Sequence, residues 1–314
     1  MIYDLKLVIA YEFDRPTGGG RQHLRITPAD LPGLQSLLSH EISISPPPKE
    51  RRSFTDFWGT EVTELVLPPG MTDCKITLKA RVLRQDPEMG LDISPAPVAL
   101  ATELAEVTRL GSASPQHFLT ASPRIAPDAA IAAFAAKAMA AAPTVQSAIE
   151  ALGRALHGHM TFDPKATEVD TPPAVAFALR RGVCQDLAQI MIAGLRSQGI
   201  PAAYVAGYLR TLPPPGKPRL EGADAMHAWV AAWAGVQAGW LAYDPTNACW
   251  VAADHLIVGQ GRDYGDVAPV VGSLRTEGGQ RGSHAVDLVA SSAKSAASPP
   301  APSPAAVPPP PQRQ

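Results

Sequence analysis

Cysteine is scarce. The 314-residue chain has three, Cys74, Cys184 and Cys249. An odd, sparse set excludes a disulfide framework and fits a reducing compartment, so a cytoplasmic location is expected. Apolar runs long enough to span a bilayer are missing, so a membrane partner is not expected. The opening "MIYDLKLVIAYEFDRP" carries acids inside its apolar stretch and has no small-residue cleavage site, which argues against a signal peptide. An excess of one charge is missing too. A formal net charge of −2 gives no electrostatic reason to expect nucleic acid or an anionic membrane as partner. Acidic clusters with calcium-loop spacing are absent, and no metal or cofactor is expected.

Proline and glycine are plentiful, at 33 and 25 residues, and their clusters punctuate the chain. Residues 1–115 read as β-rich. "YDLKLVIAYEF" and "GRQHLRITP" alternate with period two across a Pro/Gly turn, and "FTDFWGTEVTELVLPPG" followed by "DCKITLKARVLRQD" repeats the pattern. A small antiparallel sandwich or barrel is expected. Residues 125–275 change character. "APDAAIAAFAAKAMAAAPTVQSAIEALGRALHGHM" is alanine-rich and helical, broken at Pro143, with Thr144 placed to cap a second helix. Residues 161–180 read as loop. In "RRGVCQDLAQIMIAGLRSQGIP", Val183, Leu187, Ile190, Met191 and Leu195 fall at helical spacing, and Gly199 with Pro201 stops the helix. "AAYVAGYLR", "HAWVAAWA" and "GWLAYDP" read as strands, the first two joined by the long loop "LPPPGKPRLEGADAM". Residues 276–314 are Gly-, Ser-, Ala- and Pro-rich and read as a disordered tail. The fold class is therefore α+β: an antiparallel β domain, then a mixed core of helices and strands.

Cys184 falls in the first turn of its helix. Free backbone N–H groups and the positive dipole end favour a thiolate there and could bind an oxyanion. A lone helix cysteine is more often a packed thiol, so a base and an orienting acid are needed. The hairpin supplies both. With 234–239 as its loop, Trp233 faces Trp240, Trp229 faces Asp244 and His227 faces Thr246. His227 and Asp244 are then diagonal neighbours on one sheet face, about 7–8 Å apart at the backbone. Asp244 can hold one imidazole nitrogen and leave the other for the thiol.

The blocks "GVCQDLAQIMIAGLRSQGIPAAYVAGYL", "MHAWVAAW" and "GWLAYDPTN", in the order Cys, His, Asp, resemble the bacterial transglutaminase-like superfamily, which includes cysteine proteases. The likeness extends from "FDPKATEVDTPP" to "GRDYGDVAPVVG", and "YEFDRP", "HLRITP" and "DFWGTEV" resemble the β-rich domain that precedes the core in one bacterial branch. The resemblance implies a papain-like core, its cysteine-bearing helix packed on an antiparallel sheet, with Cys184 as nucleophile, His227 as general base and Asp244 as its orienting acid. Leu187 and Gln189 stand where that branch often has Phe and His. The second oxyanion donor stays open among Gln185, Gln146, Phe162 and a backbone group. The implied chemistry is acyl transfer at a peptide, isopeptide or glutamine carboxamide through a thioester, with a protein or peptide as substrate. Hydrolysis is favoured, because cross-linking needs a dry amine tunnel of which the sequence gives no sign. A silent peptide-binding scaffold and a cross-linking transglutaminase are the alternatives.

Other residues have plainer readings. His157 and His159 point to different sides of a helix, which does not favour a metal. Asp186 suits the positive end of its helix. Cys249, close after "YDPTN", could lie near the site but reads better as a packed thiol; His255 reads as a helix-end cap with no assigned role, and Asp263 and Tyr264 as a turn ahead of a part in closing the cleft. Trp229, Trp233 and Trp240 could line a groove or fill the core.

Overall fold

The architecture comes from a computed structural model, which describes residues 1–87, 90–211, 222 and 224–291. Six strands come first: β1 (Ile2–Phe13), β2 (Gly20–Leu24), β3 (Gln35–Ser45), β4 (Glu50–Thr55), β5 (Glu61–Leu67) and β6 (Asp73–Arg84). Period-two alternation explains the longest. In β6, Cys74, Ile76, Leu78, Ala80, Val82 and Arg84 turn inward while the residues between them face out or sit half-buried. Pro68, Pro69 and Gly70 make the turn into β6, and Gly70 takes a positive φ of 85° there. The signal fails for β3 and β4. These are outer strands with mostly polar, exposed residues, held by pairing with β6 and β5.

The middle of the chain is mixed: α1 (Pro97–Glu106), α2 (Ala129–Met139), α3 (Val145–His159), β7 (Thr161–Phe162), α4 (Pro173–Leu179), β8 (Arg181–Gly182) and α5 (Cys184–Ser197). Asp128 caps α2 by accepting from the Ala130 and Ile131 N–H groups, and Thr144 caps α3 in a capping box with Ser147. Helix α4 lies within the stretch read as loop, its start set by Pro173 at the first helical position. The strands β9 (Ala202–Leu209), β10 (Ala225–Trp233), β11 (Trp240–Asp244), β12 (Cys249–Trp250) and β13 (His255–Gly261) form one antiparallel sheet in the order β12-β11-β10-β9-β13. Helices α2, α3 and α5 bury their apolar faces with this sheet in one core, which includes Ile149, Leu152, Ile190, Val230 and Tyr243. Gly153 of α3 sits under Tyr243, where a Cβ would fall 2.1 Å from the ring. Most of the loop expected over 212–226 lies outside the described residues.

After the short α6 (Tyr264–Val267), the chain returns to its beginning. Strand β14 (Val270–Leu274) joins β2, giving the sheet β14-β2-β5-β4. Strand β15 (Gln280–Ser291) pairs with β1 from Phe13↔Gln280 to Ile2↔Ser291, giving β15-β1-β6-β3. The tail expected from residue 276 is thus corrected: Val286 and Leu288 are fully buried, and residues 276–291 belong to the β-rich region. The remainder of that expectation, 292–314, lies outside the described residues. The two four-stranded sheets share a core that also takes in Tyr208, Leu256 and Val258 of the central sheet. The β-rich region and the core are therefore joined through apolar contact.

Candidate active site

The start of α5 is built by an acid. Asp186 accepts from the Val183 N–H at 2.8 Å and from the Thr167 hydroxyl at 2.7 Å. Gly182 leaves room for it, since a Cβ there would lie 2.6 Å from the same carboxylate oxygen. Asp186 thus has the structural role its position implies. Cys184 is left at the first helical position, half-buried, while Cys74 is buried.

The hairpin register is as the pattern requires. Trp233 faces Trp240 and Val230 faces Tyr243, which puts Trp229 level with Asp244. His227 Nε2 donates to Asp244 Oδ2 at 2.7 Å. Nδ1 takes no part in that bond, and Cys184 is close enough to act on the same ring. Burial alone would lower the His227 pKa, but its bonds to Asp244 and Cys184 raise it to about 10. Asp244 is wholly buried. Burial would raise its pKa, yet hydrogen bonds from His227, His255 and Asn247 hold it far below the ordinary carboxylate range. Oδ1 accepts from the Thr246 and Asn247 N–H groups at 2.8 and 3.3 Å, and Oδ2 accepts from Asn247 Nδ2 at 2.7 Å.

Sequence reasoning missed Asn247 and His255. His255 Nε2 lies 3.2 Å from Asp244 Oδ2. No hairpin joins the two. The sheet order brings β13 in beside β9, and periodicity carries no signal for that order. His227, Asp244 and His255 together bring three ligand atoms within 4.8 Å of one another, a set chemically able to hold a divalent cation. The Ala252 N–H donates to His255 Nδ1 at 3.4 Å, which leaves Nε2 as the protonated nitrogen facing Asp244.

The model of the "Transglutaminase-like superfamily" matches residues 132–245, and that of the "Bacterial transglutaminase-like N-terminal region" matches 3–83. An uncharacterised protein of Mycobacterium tuberculosis is 33% identical over 254 residues, covering 77% of this chain and 78% of its own. The chain belongs to the transglutaminase-like superfamily. A protein-glutamine γ-glutamyltransferase of Pseudomonas aeruginosa is 42% identical over 87 residues, 27% of this chain and 13% of that one. A crystal structure named "a Putative Cysteine Protease from Cytophaga hutchinsonii" superposes with a TM-score of 0.71 at 21% identity, over 92% of this chain and 90% of that one. That likeness shows a shared fold, β-rich region included.

Within this transglutaminase-like core the remaining candidates separate. Gln185 Nε2 donates to the Val169 carbonyl at 2.8 Å, and the Gln146 N–H donates to Ser94 Oγ at 2.9 Å. The Phe162 side chain is exposed, on a strand paired with Gly182. None of the three is placed at the sulfur by these contacts. His157 Nδ1 meets the Thr246 carbonyl at 3.0 Å, whereas His159 lies against Phe134 and Phe177, so the two do not converge. Burial, with the charge of Asp244 opposite it on β11, lifts the Cys249 thiol to about 11; the residue is half-buried and lies beside the site. Trp229 and Trp233 are core residues. Trp240 lines a cavity of about 330 Å³ with Trp250 and Leu91. Asp263 caps α6 by accepting from the Gly265 N–H and also accepts from the Arg124 N–H, a structural turn. Among the described residues no helix is long and apolar enough to cross a membrane.

The charged pair makes stability depend on pH in a defined direction. His227 binds its proton more tightly folded (about 10) than unfolded (6.5), so its contribution is complete below about pH 6.5 and is lost as pH rises toward 10. Asp244 is shifted the other way, so its contribution is lost as pH falls below the unfolded carboxylate value of 3.8. The melting-temperature advantage of the wild type over His227→Gln is expected to peak at about pH 5–6 and shrink toward pH 10. An advantage that stays constant from pH 6 to 10 contradicts a charged histidine.

Proposed function

We propose that this transglutaminase-like protein is a cysteine-dependent amidase or protease acting on a peptide, isopeptide or glutamine carboxamide. The observation that carries this is the buried His227–Asp244 pair, hydrogen-bonded at 2.7 Å, with Cys184 near enough to act on the same imidazole. The thiol proton of Cys184 rests on His227 Nδ1, and Sγ attacks the carboxamide carbon from that ion pair. The tetrahedral adduct collapses, the C–N bond breaks, and His227 returns the proton to the departing ammonia or amine. The thioester is cleaved by water, which gives a proton to His227, releases the carboxylic acid and restores the ion pair. Asp244 keeps its charge throughout and orients the ring. Cys184 is only half-buried, which supports hydrolysis over a dry amine route. The glutamyltransferase named among the relatives favours a second outcome, attack by an amine.

The test is a peptide library holding glutamine side chains and isopeptide bonds, incubated with wild type and Cys184→Ala. Ammonia or amine release that needs Cys184 is expected. Amine incorporation without free acid would replace hydrolysis by transamidation. A profile identical for both proteins would leave the fold as a binding scaffold.

A further inference from the structure

We propose that His255 is a positioning residue of this site, donating its Nε2–H to Asp244 so that the carboxylate stays aimed at His227. The inference rests on the Cys184–His227–Asp244 reading above and deepens it. His255 is buried and lies against Asp244: its Nε2 is 3.2 Å from Asp244 Oδ2, the same oxygen that accepts from His227. Its tautomer is set from behind, because Nδ1 accepts from the Ala252 N–H. Its ring stands edge to face with Trp229, 5.2 Å between centroids at 80°, and Trp229 is wholly buried. Gly207 makes room for that indole, since a Cβ there would fall 2.5 Å from the Trp229 ring.

The backbone of His255 is held by the β-rich region. Its carbonyl accepts from Arg84 Nε at 3.0 Å, and the buried Arg84 also donates to the Leu34 carbonyl at 3.0 Å. Two residues along, Gln35 donates to the Ile257 carbonyl at 2.8 Å and accepts from its N–H at 2.9 Å. Strand β13 therefore cannot shift without breaking buried bonds. With the two N–H groups of Thr246 and Asn247 on Oδ1, and three side-chain donors on Oδ2, the carboxylate plane of Asp244 is fixed. His255 supplies the one of those donors that comes from outside the hairpin and the turn after it.

Iodoacetamide labelling of the full chain, followed by peptide mass at neutral pH, tests this without a known substrate. Cys74 and Cys249 report whether the fold has loosened. His255→Phe keeps a ring against Trp229 but removes the donor, and His255→Gln restores an N–H of similar reach. Cys184 labelling is expected to fall about tenfold in His255→Phe, the loss of one hydrogen bond to a charged group. It is expected to stay within about twofold of wild type in His255→Gln, with Cys74 and Cys249 slow in both. If His255→Phe does not fold, His255→Asn, one methylene too short, takes its place against Gln. Wild-type labelling of Cys184 in the donor-less variant, with His227→Ala slowed, overturns the role of His255 and leaves the base intact. Faster labelling of Cys74 or Cys249 in that variant makes His255 a structural residue only and also overturns it. Unchanged labelling in His227→Ala removes the underlying reading, and the inference with it.

Discussion

Asp244→Ala is expected to lose both the reaction and much of the fold. The carboxylate is wholly buried and accepts from His227, His255, Asn247 and two backbone N–H groups. Removing it leaves those donors without an acceptor and the charged His227 without its counter-ion. Breaking a buried pair from one side costs about 3–5 kcal/mol, a large share of the roughly 5–15 kcal/mol that holds an ordinary domain. Asp244→Asn separates the two effects. It keeps the volume and one acceptor oxygen, so more of the structure survives. The amide carries no charge and its NH2 opposes one set of donors, so His227 loses its orientation and its counter-charge. By the general behaviour of such triads, turnover of any substrate found in the library is expected to fall by about 10⁴-fold. Chemical denaturation and the activity assay together check this. An Asp244→Asn protein that turns over within a few-fold of wild type removes Asp244 from the mechanism.

Ending the chain at residue 275 is expected to abolish folding. The truncation removes β15, which pairs with β1 along twelve residues, and takes Val286 and Leu288 out of the shared core. Each buried aliphatic contributes about 1.5–3 kcal/mol, and β1 becomes a long edge facing solvent with nothing on it, which favours aggregation. The expected result is insoluble or non-cooperatively melting protein. A chain ending at Ser291 keeps the strand and is expected to melt with the full-length protein. A cooperative transition at wild-type temperature for the 275-residue chain would show that β15 is dispensable.

Those two results bear on different parts of what the sequence displays. The α5 helix, the strands β9, β10 and β11 and the pairing of Trp233 with Trp240 were legible, because local periodicity and a short hairpin loop determine them. So was the meeting of His227 and Asp244, which follows from that register. Strands β3, β4 and β15 were not. Their residues are largely polar and exposed, and they are strands because a neighbour offers free N–H and C=O groups. In β15 only Val286 and Leu288 turn fully inward, too few to stand out within a Gly-, Ser- and Ala-rich stretch. His255 was missed for a related reason. "HLIVGQG" is a short apolar run with no alternation to mark it as a strand, and nothing local says that it lies beyond β9 or that its first side chain comes back toward Asp244.

Arg84 and Gln35 reach from the β-rich region to the backbone of β13, and Tyr208, Leu256 and Val258 are sunk in that region's apolar core. Swinging the two halves apart would expose that apolar surface as well as sever the bonds. Opening at this boundary carries both costs. Under the proposed reading, a protein or peptide substrate therefore meets a jaw already set, and its own loop has to bring the carboxamide in.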